Sequence, residues 1–207
     1  MKHRATSVAF SCVVIAALAV GCTGKPAANP VGTPRSESPS AGLPRGGAPK
    51  VDSPMPVSAL SSDPCQSALT PGQLEKILGT APQGKPDSSP LGPACNWHNS
   101  DKGSHASVSY DTQTRTGLSG EYENTKPQAV VWRPLPPIQG FPAVAHVTPS
   151  GGEPDYFCQV SVGVADDLSF DASIILGPAK KGKVDPCQVT AQVADMVVTN
   201  LRQKAGS

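Results

Sequence analysis

Four cysteines in the C-terminal two thirds of the chain constrain most strongly what this sequence can fold into. Cys65 and Cys187 each follow Asp-Pro, which is typical of a helix N-cap with proline in the first turn. Cys95 and Cys158 lie in segments that alternate apolar and polar residues, as half-buried strands do. Pairing like with like predicts the bridges Cys65–Cys187 and Cys95–Cys158. The alternative, Cys65–Cys95 with Cys158–Cys187, stays open because spacing alone does not determine connectivity.

The first residues have the pattern of an export signal. Lys2 and Arg4 precede an apolar run, Val8–Val20, which is followed by Gly21 and Cys22. The pattern resembles a bacterial lipoprotein signal over residues 1–21, in which Cys22 receives a diacylglyceryl group and becomes the first residue. Ala19 departs from that pattern, because leucine is usual there. The alternative is an ordinary secretory signal that leaves Cys22 free.

The segment between residues 23 and 62 is poor in core-forming residues. It holds 8 prolines, 5 glycines, 7 serines and no aromatic residue. Such a segment buries too little apolar surface to offset the entropy lost on ordering. We therefore predict a lipidated cysteine and disordered tether over residues 22–62, followed by a single extracytoplasmic domain over residues 63–207.

Helix and strand patterns in residues 63–207 predict an α+β fold. Thr70 and Gln73 are spaced as a capping box, and Gly79 ends that helix. The segments Tyr156–Val164 and Leu168–Leu176 alternate strictly, which predicts a hairpin. A last helix begins after Asp185. Further strands are predicted at Cys95 to Trp97, which follows a proline-rich loop after Gly79, and at Ala106 to Tyr110. Two more, Val130–Trp132 and Ala143–Val147, are separated by the proline-rich loop Pro134–Pro137, and a short helical turn is predicted around Ser119–Asn124. We expect an antiparallel sheet covered on one face by N- and C-terminal helices, two disulfides, and Trp97 buried beside the bridge of Cys95.

As a set, these motifs resemble one known family. Asp63-Pro64-Cys65, the helix from Leu69-Thr70 to Gly79, Cys95-Asn96-Trp97, Cys158 and Asp185-Pro186-Cys187 occur in the order found in actinobacterial lipoproteins that carry domain of unknown function three-five-five-eight. The resemblance covers residues 63–207. It implies a lipoprotein on the cell surface of a Gram-positive actinobacterium, and it implies no activity.

No catalytic or metal-binding pattern emerges from the residues themselves. Gly117–Glu121 departs from the nucleophile-elbow pattern at its last position. The histidines His98, His105 and His146 are scattered, and we expect them on the surface or in strands. Glu121 and Glu123 are expected on a solvated face, and Asp166-Asp167 in a hairpin turn rather than as calcium ligands. A zinc site of four thiolates is disfavoured because no CxxC pair is present, so we expect neither a metal nor a cofactor.

Two functions from different classes fit this sequence. The favoured one is a non-enzymatic, membrane-anchored binding or adaptor module, whose partner is a cell-wall component, an apolar ligand or an envelope protein. Trp132, beside the stiff Pro134–Pro137 stretch, is the candidate residue for the lining of a ligand groove. The alternative is that its side chain packs against an edge of the sheet. The rival is a small extracytoplasmic hydrolase that uses His98 or His105 with a nearby acid. A purely structural envelope protein is a third reading. A net charge of +1 argues against nucleic acid as a partner.

Overall fold

One antiparallel sheet organises the part of the chain that the structure describes. The structure is a computed structural model and describes residues 42–206. Its seven strands lie in the order β1-β2-β3-β7-β6-β5-β4, and all neighbours are antiparallel. They are β1 (Lys85–Ser89), β2 (Gly92–Asn99), β3 (Ser104–Asp111), β4 (Val131–Ile138), β5 (Phe141–Val147), β6 (Phe157–Ala165) and β7 (Leu168–Ile175).

Helices with the predicted caps accompany the sheet. They are α1 (Pro64–Ser67), α2 (Pro71–Leu78), α3 (Leu118–Gly120) and α4 (Pro186–Ala205). The carboxylates of Asp63 and Asp185 accept hydrogen bonds from the second residue of α1 and α4, and Thr70 with Gln73 forms the capping box of α2. A 3₁₀ turn (Val57–Leu60) precedes α1, while a π-helical turn (Glu121–Thr125) and a second 3₁₀ turn (Lys126–Gln128) follow α3. The predicted α+β class is confirmed. No helix among residues 42–206 is long and apolar enough to cross a membrane.

The two faces of the sheet differ in character. Helix α4 contacts β6 and β7, whereas α1 and α2 contact β2 and β3, so these helices cover an apolar face. Trp97 lies in this core with 1% of its surface exposed, as predicted. Alternate residues of β5, β6 and β7 face this apolar core. Because side chains alternate along a strand, the residues between them point to the other face of the sheet. The segment from α3 to the π-helical turn covers that face, and polar residues are buried beneath it.

The disulfide pairing favoured from the sequence is wrong. The bridges are Cys65–Cys95 and Cys158–Cys187, each with a Cα–Cα distance of 5.0 Å. Strands β2 and β6, which carry Cys95 and Cys158, are separated by β3 and β7. Three strand spacings amount to roughly 14 Å, well beyond the reach of a disulfide. Each bridge instead joins the start of a helix to the strand beneath it.

Both edge strands differ from the sequence prediction. The segment Pro134–Pro137 was expected to be a loop, but it lies within β4. Proline is tolerated there because an edge strand leaves N–H groups without a partner strand. Strand β1 was also expected to be part of a loop. All its residues are exposed, so it shows no alternating hydrophobic pattern.

The folded domain begins earlier than the sequence predicted. Val51, Met55 and Leu60 are buried in the main core, although they belong to the expected tether. The N–H of Met55 donates to the Val164 carbonyl at 2.8 Å, which holds this segment beside β6. The predicted boundary at residue 63 is therefore wrong. The predicted signal, Cys22 and the rest of the tether up to residue 41 lie outside the described residues.

Candidate functional sites: a buried polar cluster and an apolar groove

A hydrogen-bonded set of polar side chains lies on three neighbouring strands of the sheet, β5, β6 and β7. Ser161 on β6 faces Asp171 on β7 and donates its hydroxyl hydrogen to that carboxylate. The Nε2 atom of His146 on β5 lies 3.0 Å from the Ser161 Oγ. All three residues are buried, with 0% of Ser161, 4% of His146 and 7% of Asp171 exposed. Buried polar groups in this arrangement satisfy one another where water is excluded.

Glu121 closes this set from the covering segment. It is the first residue of the π-helical turn, and its Oε2 lies 3.4 Å from His146 Nε2. This oxygen is buried and has no hydrogen-bond partner. The expectation that Glu121 lies on a solvated face is wrong, because its side chain is only 16% exposed and reaches the buried His146. We call Glu121, His146, Ser161 and Asp171 the polar cluster.

Burial determines the protonation of the polar cluster. It raises the pKa of Asp171 to about 7, helped by the nearby charge of Glu121. Burial also raises the pKa of Glu121, against a hydrogen bond from Thr125 that lowers it. For His146, burial lowers the pKa to about 4. The imidazole is therefore neutral at neutral pH and offers a lone pair, while the two carboxyl groups hold protons more tightly than usual.

Aromatic rings form the outer wall of the polar cluster. Trp132 stacks on His146 with 6.0 Å between ring centroids and meets Tyr122 edge to face at 5.0 Å. The Lys126 ammonium lies 5.1 Å from the centre of the Tyr122 ring. The Trp132 Nε1 is buried without a hydrogen-bond partner. Trp132, predicted as a groove residue, thus lies beside the polar cluster.

The histidines singled out for the rival hydrolase lie elsewhere. His98 and His105 are cross-strand partners on β2 and β3, with ring centroids 6.2 Å apart. Burial and, secondarily, the neighbouring His98 lower the pKa of His105. Within residues 42–206, neither ring forms a hydrogen bond or ion pair with an acid. His146 lies in a strand, as do His98 and His105, which agrees with the expectation for these histidines, and among residues 42–206 it is the one that meets acidic groups.

The polar cluster resembles a catalytic triad in composition but not in connectivity. In a triad, an acid orients the histidine through Nδ1 and the histidine Nε2 faces the serine. Here Asp171 binds Ser161 instead, and Nε2 faces both Ser161 and Glu121. Ser161 is also fully enclosed, so a substrate reaches it only if the cover moves.

Sequence reasoning overlooked Glu121, Ser161 and Asp171 as candidate site residues. The available signal was a titratable residue within an otherwise apolar strand: Asp171 follows Leu168-Ser169-Phe170, and His146 follows Val144-Ala145. Charged residues are almost never fully buried unless they are paired or have a function.

An apolar groove lies at one end of the sheet, apart from the polar cluster. It has a volume of about 730 Å³ and lies between the end of α2, the β2–β3 turn and the segment after β7. Its apolar lining includes Ile77, Leu78, Ile174, Leu176 and Pro178. Lys76, Lys102 and Lys180 also line it, against one acidic residue, Asp101. Trp132 is not among its lining residues.

Fold and sites together define the class of this protein: a two-disulfide α+β domain with a polar cluster on one face of its sheet. The chain belongs to the family described as Protein of unknown function (DUF3558), whose model matches residues 17–200. No curated protein and no solved structure matches the chain.

Proposed function

We propose that this protein is a lipoprotein anchored at the extracytoplasmic face of the cell membrane, with a non-enzymatic domain that binds an amphipathic anion. The apolar groove with its three lysines is the observation that carries the binding proposal. Its volume of about 730 Å³ falls within the range of small-molecule sites. The anchor rests on the pattern that ends at Cys22.

The lining of the groove favours one class of ligand. Its apolar side chains suit an acyl chain, because removing such a chain from water is favourable. Lys76, Lys102 and Lys180 supply cationic groups, and Asp101 offsets only one of them. A carboxylate or phosphate head group on an acyl chain complements both features.

The anchor is tested by substituting the predicted lipid acceptor. Cys22→Ser should release the protein from membranes, because two acyl chains are what makes membrane attachment stable. Fractionation of cells that express each form provides the measurement. A Cys22→Ser protein that remains in the membrane fraction would contradict lipid anchoring.

The groove is tested with two probes of equal chain length and opposite charge. We expect the purified Cys22→Ser protein to bind dodecanoate at least tenfold more tightly than dodecyltrimethylammonium in calorimetric titrations. Lys180→Gln should weaken dodecanoate binding severalfold. Lys50→Gln is the matched control, because Lys50 is exposed and does not line the groove. Equal affinity for the two probes, or binding of neither, would refute an amphipathic anion as the ligand.

A hydrolase is the second candidate because His146, Ser161 and Asp171 combine the residue types of an acyl-transfer site. This activity would require the covering segment to move and expose Ser161. Hydrolysis of p-nitrophenyl butyrate that disappears in Ser161→Ala would support it. Equal rates for the two proteins would exclude Ser161 as a nucleophile for this ester.

A further inference from the structure

We propose that Glu121, His146 and Asp171 bind one divalent transition-metal ion of the zinc class within the polar cluster. The site lies between the π-helical turn and the sheet, on the face opposite α4. It is independent of the apolar groove, so the two proposals fail or succeed separately.

The distances fit such an ion. One donor atom from each of the three residues lies within 4.8 Å of the other two. The His146 Nε2 and Glu121 Oε2 are 3.4 Å apart. A tetrahedral zinc ion with bonds of about 2.0–2.1 Å holds its ligand atoms roughly 3.3 Å apart. An ion therefore fits between His146 and Glu121 at the distance they already have, and a small approach of the Asp171 carboxylate completes a third bond.

The local charge favours a cation. Glu121 and Asp171 place two carboxyl groups in one enclosed space, and no lysine or arginine in residues 42–206 forms an ion pair with either of them. The nearby Lys126 lies outside, against the rings of Tyr122 and Trp132. Buried carboxylates are stable when they are paired or coordinate a metal. The partnerless Glu121 Oε2, 3.4 Å from a histidine nitrogen, is the atom that such an ion would satisfy.

The donor set indicates which metals suit the site. One imidazole nitrogen with two carboxylate oxygens suits zinc and other first-row divalent ions, whereas calcium takes oxygen ligands in larger numbers. Ser161 donates to Asp171 and would hold that carboxylate in position, as hydrogen-bonding neighbours of metal ligands commonly do. In the metal-free protein the Ser161 hydroxyl donates to Asp171 and accepts from the Nε2–H of His146. On metal binding, the ring proton of His146 would move to Nδ1, and Nε2 would exchange its contact with Ser161 for the ion.

Metal titration of the purified full-length protein tests this site. The protein should carry no polyhistidine tag and should first be freed of metal by dialysis against a chelator. Calorimetric titration with zinc chloride at pH 7.5 should give one ion per chain, with calcium chloride at least tenfold weaker. His146→Gln and Glu121→Gln should each lower the zinc affinity at least tenfold.

Two control variants separate this site from adventitious binding. Glu123→Gln changes a carboxylate of the same turn that is paired with Arg45, away from His146. His98→Gln removes the exposed member of the histidine pair on β2 and β3. Both variants should keep the wild-type zinc affinity. Absence of stoichiometric binding by the wild type, unchanged affinity in Glu121→Gln, or loss of affinity in His98→Gln would each overturn the proposal.

Thermal unfolding distinguishes a metal ligand from a merely structural residue. Without metal, Glu121→Gln should unfold at the same temperature as the wild type or higher, because it removes one of two neighbouring buried acids. Zinc should raise the midpoint of the wild type, since a ligand that binds only the native state stabilises it, and should raise that of Glu121→Gln less at the same zinc concentration. An equal zinc-induced rise in both proteins would contradict the assignment of Glu121 as a ligand.

Discussion

At the scale of single residues, Gly84 illustrates how closely the chain packs around the first disulfide. A Cβ at Gly84 would lie 2.5 Å from the Cys95 Sγ and 2.8 Å from the Trp97 Nε1. Neither atom belongs to a flexible surface side chain, because Cys95 and Trp97 are both buried. We therefore expect Gly84→Ala to lower the free energy of unfolding by about 1–3 kcal/mol, the usual cost of overpacking. Urea unfolding of the oxidised protein measures this loss.

A second glycine provides the control for Gly84→Ala. Gly72 lies in α2, and a Cβ placed there has nothing within 4 Å. Because alanine favours helix over glycine by up to about 1 kcal/mol, Gly72→Ala should leave stability unchanged or raise it slightly. If both substitutions had equal effects, the tight packing around Gly84 would not be the cause.

The carboxyl group of Asp171 should leave a signature in the pH dependence of stability. It lies near Glu121, Asp111, His146 and Ser161, and burial raises its pKa to about 7. An unfolded aspartate ionises near pH 4. Between these values the folded state keeps a proton that the unfolded state has lost, so this group makes the protein less stable as the pH rises.

Asp171→Asn removes that titration. In a buffer with a chelator, the variant should gain stability relative to the wild type as the pH rises from about 4 to about 7, and the difference should then level off. Urea unfolding of both proteins at pH 4, 6 and 8 measures it. Parallel pH profiles for the two proteins would show that Asp171 titrates normally in the folded state.

At the scale of elements, each disulfide fastens a helix start to a strand. The bridges close loops with sequence separations of 30 and 29 residues. Loops of this size are worth roughly 3.5 kcal/mol each in the chain-entropy view. We therefore expect the paired substitutions Cys65→Ser/Cys95→Ser and Cys158→Ser/Cys187→Ser to destabilise the protein by similar amounts in urea unfolding.

A count of the free thiols within residues 63–207 separates the two disulfide pairings. With the observed bridges, Cys65→Ser/Cys95→Ser removes one complete bridge and leaves Cys158 joined to Cys187. With the pairing favoured from the sequence, the same double variant would leave both of those cysteines unpaired. No reactive thiol is therefore expected from residues 63–207 under denaturing, non-reducing conditions, and two reactive thiols would contradict the structure.

Which elements the sequence predicts depends on how local their signals are. The caps at Asp63, Thr70 and Asp185 act within three residues, and the hairpin of β6 and β7 joins strands that are adjacent in the chain. The caps and the hairpin can therefore be predicted from the sequence. Strand β1 is not predicted, since it is fully exposed, and only the start of β4 is predicted, at Val130–Trp132, since the rest of that strand contains prolines. The polar cluster combines three strands with a distant turn, so its geometry depends on strand order, which no local pattern contains.

At the scale of the whole molecule, the segment before α1, which belongs to the predicted tether, contacts both the core and the cover of the polar cluster. Val51, Met55 and Leu60 are buried in the core. Upstream of them, the N–H of Arg45 donates to the Ser119 Oγ at 2.9 Å, and its guanidinium pairs with Glu123 in the turn that contains Glu121. Residues 45–60 thus stabilise both the core and the cover of the polar cluster.

Deleting this segment should therefore unfold or strongly destabilise the domain. Burying a side chain the size of valine, leucine or methionine contributes about 1.5–3 kcal/mol. Removing three such side chains costs roughly 5 kcal/mol or more, a large part of the stability of a typical domain. A chain without residues 1–62 should lose its cooperative thermal transition or show a much lower midpoint, whereas a chain without residues 1–41 keeps every contact described above.

A pair of substitutions in the same 3₁₀ turn tests this role in the full chain. Leu60 is 2% exposed and Val57 is 49% exposed, although they are three residues apart. Leu60→Ala should cost about 2–5 kcal/mol because it leaves a cavity in the core, while Val57→Ala should change stability by less than about 0.5 kcal/mol. Thermal and urea unfolding measure both. If Leu60→Ala were as mild as Val57→Ala, the turn would not be part of the core and the domain would begin where the sequence first indicated, at residue 63.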